Sequence, residues 1–267
     1  MKRYPTVLTI AGSDSGGGAG IQADIKAISA TGSYAASAIT AVTVQNTLGV
    51  KDIFPIPPGI ISAQIDAVLE DIGADAVKIG MLHDAAVVRA VKDSLQRHNI
   101  RNIVLDPVMV STSGHRLIEE DAVAVLSGEL VPIVSIITPN IPEAEILAGV
   151  KIRSAGDFPA VARRLSRSGK VSVLLKAGHL DADRLVDIFY DAATDSCIEL
   201  PSPRIDTPNT HGTGCTLSSA LASFLAQGFT PAEAAQRAKE YVSQAIAAGS
   251  EFSIGHGHGP VHHFFNL

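Results

Sequence analysis

Residues 209–220 combine two glycines, several hydroxyl side chains and a cysteine directly ahead of an alanine- and leucine-rich helical pattern. Glycines before a helix allow backbone N–H groups to converge, and the N-terminus of the helix adds partial positive charge. Gly212, Thr213 and Gly214 are therefore predicted to form a phosphate-binding turn. Cys215 stands in the same field, which is expected to favour its thiolate form. An anion pocket beside a potential base indicates phosphoryl transfer.

A second glycine-rich segment, residues 11–20, also follows an apolar run and precedes a helical pattern. It is not a P-loop, because no lysine follows Gly17 or Gly18. It is not the dinucleotide fingerprint either, because Ile21 stands where a glycine or alanine is required. The spacing leaves two interpretations open: a nucleotide-binding loop of another kind, or a tight turn between a strand and a helix.

Polar side chains directly follow three further apolar runs. Asp106 follows the first, Asn140 and Glu143 the second, and Lys176 the third. The carboxylates and the amide are suited to Mg²⁺ or phosphate oxygens, and the lysine to phosphate charge. Each also has a structural alternative: an Asp-Pro turn, a helix-capping pair of Asn140 with Glu143, and a solvated lysine.

The apolar runs alternate with helical patterns along almost the whole chain. Strands are predicted at residues 7–10, 38–44, 76–79, 102–105, 134–137 and 171–175, with a hairpin at 185–190 and 197–200. Besides the helix after residue 20, helices are predicted at residues 60–70, 85–97, 121–130, 158–167, 214–226 and 231–248. Such alternation predicts an α/β fold with a largely parallel sheet covered on both faces. No linker or repeat divides residues 1–267, so one domain is expected.

Composition restricts the function further. Of the 267 residues 46% are hydrophobic and 18% charged, and the net charge is -6. No basic block is present, which argues against nucleic acid and anionic membranes as partners. The two cysteines, Cys197 and Cys215, make a disulfide framework unexpected, and a cytoplasmic location is predicted. We interpret Cys197 as a small structural residue.

The C-terminal residues 255–264 contain four histidines separated in part by glycines. Histidine is a common metal ligand, so a metal site is one interpretation of this stretch. The run contains no carboxylate or cysteine. An ordinary glycine-rich loop is therefore the interpretation that we favour.

Taken in order, these segments resemble the ribokinase superfamily, and within it the hydroxymethylpyrimidine/phosphomethylpyrimidine kinases of thiamine biosynthesis. The match runs from Thr9 to Phe264 and rests on residues 9–24, 44–47, 78–82, 105–109, 138–144, 176–179, 209–218 and 259–264. The resemblance implies a ribokinase-like three-layer α/β/α sandwich with a mostly parallel central sheet. It implies ATP-dependent phosphorylation of 4-amino-5-hydroxymethyl-2-methylpyrimidine, and then of its monophosphate to the diphosphate. ATP and Mg²⁺ are the implied cofactors, and a homodimer is the implied assembly.

The resemblance also assigns roles to residues. It places the first glycine-rich segment against the pyrimidine and leaves the nucleotide phosphates to the turn of Gly212, Thr213 and Gly214. The implied pyrimidine-binding residues are Gly12, Asp24, Gln45 and Met81. The implied Mg²⁺ residues are Asp106 and Glu143, and the implied nucleotide-binding residues are Asn140, Lys176 and Lys239.

Cys215 favours the pyrimidine kinases over the sugar kinases of the superfamily, because most of those sugar kinases carry aspartate at this position. A thiolate there would accept the hydroxymethyl proton in the first transfer. In the second transfer the attacking phosphate is already ionised, so loss of Cys215 is expected to slow the first transfer more. The alternative functions are a vitamin B6 kinase, a kinase of both substrates, and a non-catalytic nucleotide or vitamin carrier.

Overall fold

A computed structural model describes residues 3–110, 114, 117–167, 169–177 and 184–266. Gly178 and His179, which the sequence motif after Lys176 includes, lie outside the described residues. The strands of the sheet are β1 (Thr6–Asp14), β2 (Tyr34–Asn46), β3 (Gly49–Pro55), β4 (Ala76–Ile79), β5 (Ile103–Leu105), β6 (Ile136–Ile137), β7 (Ser172–Leu175), β8 (Arg184–Asp191) and β9 (Ser196–Pro203).

The strands form one sheet in the order β3-β2-β1-β4-β5-β6-β7-β8-β9. The six strands from β2 to β7 in this order are parallel to their neighbours. At the two ends, β3 runs antiparallel to β2, and the hairpin of β8 and β9 runs antiparallel to β7. The carboxyl ends of the parallel strands therefore meet along one edge of the sheet, which is where ligands bind in such folds.

The helices are α1 (Gly20–Ala30), α2 (Pro58–Asp71), α3 (Ala85–Arg97), α4 (Glu120–Val125), α5 (Ile141–Ala148), α6 (Phe158–Leu165), α7 (Thr213–Ala226) and α8 (Pro231–Gly249). Helices α2 to α6 share one apolar core with the sheet, and α1, α7 and α8 share the other. Side chains that alternate along a strand divide between the two cores, as Leu8 and Val7 do in β1. This arrangement confirms the predicted three-layer α/β/α fold. None of the described helices is both long and apolar enough to cross a membrane.

The structure differs from the sequence predictions mainly at one edge of the sheet. β3 was not predicted, because its Lys51-Asp52 pair and its exposed positions break any apolar alternation. β1 continues past Ile10 to Asp14, so the start of the first glycine-rich segment is strand rather than loop. The predicted helix at 121–130 continues beyond α4 as a wider π-helical turn, Leu126–Leu130. The predicted hairpin is confirmed as β8 and β9, and Cys197 lies exposed on it.

Candidate active site

A cavity of about 640 Å³ lies at the carboxyl edge of the parallel strands. Twelve of the thirteen predicted site residues line it: Gly12, Gln45, Met81, Asp106, Asn140, Glu143, Lys176, Gly212, Thr213, Gly214, Cys215 and Lys239. Because parallel strands end together at this edge, side chains far apart in the chain converge there. The remaining residue, Asp24, does not line the cavity.

The predicted phosphate-binding turn forms the start of α7. Gly212 occupies the N-cap position with φ of 77°, and it has no side chain that could cap the helix. The N–H of Thr213 donates to the carbonyl of Thr210, and the N–H groups of Gly214 and Cys215 in the same turn are left without a capping side chain and suit a ligand in the cavity. A Cβ atom on Gly212 would lie 1.8 Å from the carbonyl oxygen of Gly18. Glycine at position 212 thus allows the two glycine-rich segments to touch.

Lys176 and Asp106 form an ion pair beside this turn. Nζ of Lys176 lies 2.9 Å from Oδ1 of Asp106, which also accepts a hydrogen bond from Thr138. A Cβ atom on Gly214 would lie 3.3 Å from Nζ of Lys176 and 3.4 Å from Oδ2 of Asp106. Burial lowers the pKa of Lys176, but the charges of Asp106 and Glu143 outweigh it and raise the pKa above its ordinary value. A permanently charged ammonium group therefore lies directly beneath the glycine turn.

Asn140 and Glu143 form the capping box that the sequence offered as the structural alternative. The side chain of Asn140 accepts from the backbone N–H of Glu143, and Glu143 accepts from the N–H of Asn140, both at 2.9 Å. Both residues also line the cavity, so capping does not remove Glu143 from the site. Burial and the nearby charge of Asp106 raise the pKa of Glu143 to about 7, although Lys176 opposes the shift.

Asp106 and Glu143 are chemically suited to Mg²⁺. Among the described residues no group of three or more histidine, cysteine, aspartate or glutamate side chains can hold a metal ion. Mg²⁺ in nucleotide sites is commonly held by one or two carboxylates and completed by water and phosphate oxygens. Two carboxylates that line a cavity beside a phosphate-binding turn fit that coordination.

The expectation of a stabilised thiolate at Cys215 is not supported by the structure. Burial raises the pKa of the thiol to about 11, and the carboxylates of Asp24 and Asp106 act in the same direction. The charge of Lys78 lowers the pKa but does not compensate. Cys215 is a neutral thiol at neutral pH.

The assignment of Asp24 to the pyrimidine pocket is corrected as well. Asp24 lies on α1 and is fully buried, with hydrogen-bonding partners on β1, β4 and α7. Its carboxylate accepts hydrogen bonds from Thr9 at 2.6 Å and Ser219 at 2.7 Å, and it pairs with Lys78 at 2.8 and 2.9 Å. All of its accepting capacity is used within the protein. Lys78, which sequence reasoning missed, lines the cavity instead.

The other predicted pyrimidine residues are close together. A Cβ atom on Gly12 would lie 3.1 Å from Cε of Met81, so the glycine leaves room for the thioether side chain. Gln45 lies 3.4 Å from His211, and His211 pairs with Asp14 at 2.8 Å. Asp14 and His211 line the cavity and were missed. Both residues stand inside the two glycine-rich segments.

Lys239 lies on α8 and lines the same cavity. Its Nζ atom is 2.8 Å from Oδ2 of Asp187, and Oδ1 of Asp187 accepts the backbone N–H of Ala177. Ala177 follows Lys176 directly. Asp187 therefore links α8 to the end of β7. This position is consistent with the prediction that Lys239 lies on the nucleotide side of the cavity.

The histidines near the C-terminus do not assemble a metal site among the described residues. Backbone N–H groups of His256 and Gly257 instead donate to Oγ1 of Thr47, and the N–H of His258 donates to its carbonyl. The stretch is an ordered glycine-rich loop packed on the turn between β2 and β3.

Comparison with known proteins identifies relatives over nearly the whole chain. Residues 14–262 match the family model described as phosphomethylpyrimidine kinase. The hydroxymethylpyrimidine/phosphomethylpyrimidine kinase of Rhizobium meliloti is 50% identical, and the alignment covers 96% of each protein. That of Escherichia coli is 46% identical over 99% of this chain and 98% of the relative. A thiamine biosynthesis bifunctional protein of Geobacter sulfurreducens is 50% identical over 97% of the chain, which spans only 52% of that relative.

Solved structures with the same architecture belong to two kinds of kinase. The phosphomethylpyrimidine kinase of Clostridium difficile superposes with a TM-score of 0.80 at 43% identity, covering 90% of this chain and 99% of the other. A pyridoxal kinase of Staphylococcus aureus in complex with AMP-PCP and pyridoxal superposes with a TM-score of 0.89 at 31% identity, covering 99% and 95%.

Proposed function

The chain belongs to the phosphomethylpyrimidine kinase family, and on this premise we propose that its cavity catalyses two successive phosphoryl transfers from ATP in thiamine biosynthesis. The first converts 4-amino-5-hydroxymethyl-2-methylpyrimidine to its monophosphate, and the second converts the monophosphate to the diphosphate. The observation that carries the proposal is the position of the Lys176–Asp106 ion pair at the uncapped N-terminus of α7, where a Cβ atom on Gly214 would lie 3.3 Å from Lys176 and 3.4 Å from Asp106. This arrangement gathers the donors that a transferring phosphoryl group requires.

Phosphate charge is stabilised by groups that the protein already holds in position. The N–H groups of Gly214 and Cys215 belong to the first turn of α7, at the positive end of its dipole, and both residues line the cavity. Lys176 remains protonated and adds a full positive charge beneath the turn. Because these donors are fixed before the substrates arrive, little reorganisation is required during the transfer.

Mg²⁺ is proposed to bind at Asp106 and Glu143. When bound, it would neutralise part of the charge on the nucleotide phosphates. Glu143 must be ionised for this role, and a pKa of about 7 places its ionisation near neutral pH. Asp106 is shared with Lys176, so the ammonium group and the cation are held on the same side of the cavity.

Cys215 is proposed as the proton acceptor of the first transfer. Its thiol must first release a proton to solvent, and the positive charges of Lys78 and Lys176 favour that loss. The thiolate would then take the hydroxymethyl proton as the oxygen attacks phosphorus. The monophosphate that attacks in the second transfer is already ionised and does not require a base.

The pyrimidine is proposed to lie against Gly12, Met81 and Gln45. Met81 supplies a polarisable apolar surface, and the space that Gly12 leaves keeps this surface accessible. A side-chain amide offers one donor group and one acceptor group side by side. Such an amide matches the amino group and adjacent ring nitrogen of the pyrimidine.

Phosphorylation of pyridoxal is the second candidate function. The Staphylococcus aureus pyridoxal kinase shares the fold at 31% identity, and pyridoxal carries a similar hydroxymethyl group on an aromatic ring. A coupled ADP-release assay with the pyrimidine alcohol, its monophosphate and pyridoxal separates the two. We expect both pyrimidines to be phosphorylated with a higher kcat/KM than pyridoxal. A higher value for pyridoxal would make vitamin B6 the substrate class.

We also propose that the chain acts as a single domain and is located in the cytoplasm.

We further propose that the chain forms a homodimer. An exposed apolar patch supports the dimer: Val42 and Phe54 pair across β2 and β3, and Val44 follows on the same face. Apolar patches of this kind commonly mark interfaces. Sedimentation velocity should give the mass of two chains for the wild type and of one chain for Phe54→Lys. A wild-type monomer would exclude this assembly.

A further inference from the structure

The end of β2 extends beyond its neighbour β1 in the part of the cavity that is proposed to hold the pyrimidine. β1 pairs with β2 as far as Asp14, which lies opposite Thr43, whereas β2 continues to Asn46. Gln45 therefore lies two residues beyond the last residue of β2 that pairs with β1. The backbone of a strand that extends past its neighbour needs another source of hydrogen bonds on that side to stay fixed.

The hydroxyl group of Ser15 takes the place of the next residue of β1. Oγ of Ser15 donates to the carbonyl oxygen of Gln45 at 2.7 Å and accepts the backbone N–H of Gln45 at 2.9 Å. One hydroxyl group can make both bonds, because it carries one hydrogen and two lone pairs. Ser15 does not itself line the cavity, whereas Gln45 does. Any influence of Ser15 on a ligand therefore passes through Gln45.

Ser15 lies in a turn that packs on the end of β2. The carboxylate of Asp14 accepts the backbone N–H of Gly16 at 2.8 Å, and the carbonyl oxygen of Asp14 accepts the N–H of Gly17 at 2.9 Å. A Cβ atom on Gly16 would lie 3.2 Å from Cα of Asn46, so glycine at position 16 permits the close approach. The hydroxyl group of Ser15 is thus presented to β2 from a turn that is fixed by its own hydrogen bonds.

The side chain of Gln45 has longer contacts than its backbone. The side-chain amide lies 3.2 Å from Oγ1 of Thr43 and 3.4 Å from Nε2 of His211. Both distances exceed those between Ser15 and the backbone of Gln45, and they lie at or beyond the end of the usual hydrogen-bond range. The direction in which the amide projects is therefore determined mainly by the backbone that carries it.

We propose that Ser15 is a positioning residue for pyrimidine binding, because its hydroxyl group fixes the backbone of Gln45 and thereby directs the Gln45 amide toward the ring. The inference rests on the proposed function, in which this amide binds the amino edge of the pyrimidine. An amide held in place before the substrate arrives loses less conformational freedom on binding. The groups proposed to bind ATP lie on β7, α7 and α8, so ATP binding should not depend on Ser15.

The KM of Ser15→Ala for the pyrimidine alcohol, measured by ADP release, tests the proposal. This KM should rise about three- to tenfold, as expected when water replaces part of a lost hydrogen-bonding group. The kcat and the KM for ATP should stay within about twofold of the wild-type values, because an interaction that serves binding alone is removed. Ser15→Thr keeps a hydroxyl group on an exposed side chain and should restore the KM for the alcohol to within about twofold.

A matched control is Ser135→Ala. Oγ of Ser135 donates to the carbonyl oxygen of Arg101 and accepts the backbone N–H of Ile103 at 3.2 Å. The same two kinds of backbone hydrogen bond are therefore removed at the start of β5, at the opposite edge of the sheet from the cavity. This variant should leave the KM for the alcohol and the KM for ATP unaltered.

A double variant shows whether Ser15 acts through the side chain of Gln45. Gln45→Ala should by itself raise the KM for the alcohol by about tenfold or more, because it removes the amide. Adding Ser15→Ala to this variant should raise the KM no further, since the side chain that Ser15 directs is already absent. A general structural role of Ser15 would instead produce the same increase in both backgrounds.

Three outcomes would overturn the inference: a wild-type KM for the alcohol in Ser15→Ala, a Ser15→Thr enzyme as impaired as Ser15→Ala, or equal effects of Ser15→Ala with and without Gln45. A wild-type KM in Gln45→Ala would remove the premise that the amide binds the ring, and the inference with it. Failure of the wild type to phosphorylate the alcohol at all would refute the proposed function itself.

Discussion

The Lys78–Asp24 and Lys176–Asp106 ion pairs contain the same groups at similar distances but have different surroundings. Both side chains of Lys78–Asp24 are 0% exposed, and two hydroxyl groups complete the hydrogen bonding of that carboxylate. The side chain of Lys176 is 15% exposed, and within the part of the chain that the structure describes Oδ2 of Asp106 receives only a long 3.5 Å contact from Ser218. One carboxylate is saturated within the protein, and the other retains accepting capacity toward the cavity.

This difference separates a structural role from a ligand-binding role. A buried carboxylate whose accepting positions are all occupied adds order to the floor of a site but offers no free lone pair to a ligand. An ion pair that is buried on one side and borders the cavity on the other can exchange its partner for a phosphate oxygen or a cation. Residue type does not distinguish Asp24 from Asp106. The two carboxylates are distinguished by the number of hydrogen-bond donors that already contact each of them.

The largest effect is expected on stability when the closed pair is broken. Lys78→Met leaves the carboxylate of Asp24 buried without its cation, which should lower the free energy of unfolding by about 3–5 kcal/mol. Urea denaturation followed by circular dichroism measures this loss. Lys176→Met should lose clearly less, since its pair borders the cavity.

A double variant sharpens that test. Lys78→Met combined with Asp24→Asn removes both charges and keeps an acceptor for the two hydroxyl groups. It should recover part of the stability that Lys78→Met loses. Equal losses for Lys78→Met and Lys176→Met would remove the distinction between the two pairs.

Breaking the open pair should mainly affect catalysis. Lys176→Met removes the charge beneath the phosphate-binding turn, so kcat should fall by about 10²–10³-fold. Initial rates of ADP release at saturating substrates measure the change. Lys151→Met, which removes an exposed lysine paired with Glu145, is the control and should leave kcat unaltered. A Lys176→Met enzyme of nearly normal kcat would contradict the phosphate role.

The pH dependence of stability probes the carboxylate beside the open pair. With a pKa of about 7, Glu143 keeps its proton in the folded protein while the unfolded chain has already released it above its ordinary value of 4.5. Between these values the folded state binds more protons, so this group's contribution to stability falls as pH rises. Without Mg²⁺, the wild type should lose about 1–3 kcal/mol relative to Glu143→Gln between pH 5 and pH 8. Parallel urea-unfolding profiles for the two proteins would show that Glu143 ionises normally.

The smallest effect is expected for Cys215, whose pKa is influenced by charges of both ion pairs. Cys215→Ala should reduce kcat of the first phosphorylation about tenfold more than that of the second, because only the first requires removal of a hydroxyl proton. Separate initial rates with the alcohol and with the monophosphate measure the ratio. Equal losses would assign Cys215 a positional role instead of a base role.

Several parts of this site were predictable because they depend on local pattern and on one topological rule. Asp106, Asn140 and Lys176 each follow an apolar run, and parallel strands bring such positions to one edge. Gly212 and Gly214 precede a helical pattern, which is sufficient to predict an open helix N-terminus. These features require only the order of the elements.

Other parts depend on contacts that no local pattern contains. The saturation of Asp24 requires Ser219, which lies 195 positions away in the chain. The raised pKa of Cys215 reflects burial of the thiol and the nearby carboxylates of Asp24 and Asp106. β3 was missed because most of its side chains are exposed and carry no apolar alternation.

The central claim is that one cavity performs both transfers, and a mixed-substrate rate tests it most directly. The rate of ADP release is measured with the alcohol alone, with the monophosphate alone, and with both present at saturating concentrations. If the substrates compete for one site, the combined rate must lie between the two separate rates. A combined rate equal to their sum would show two independent sites and contradict the account.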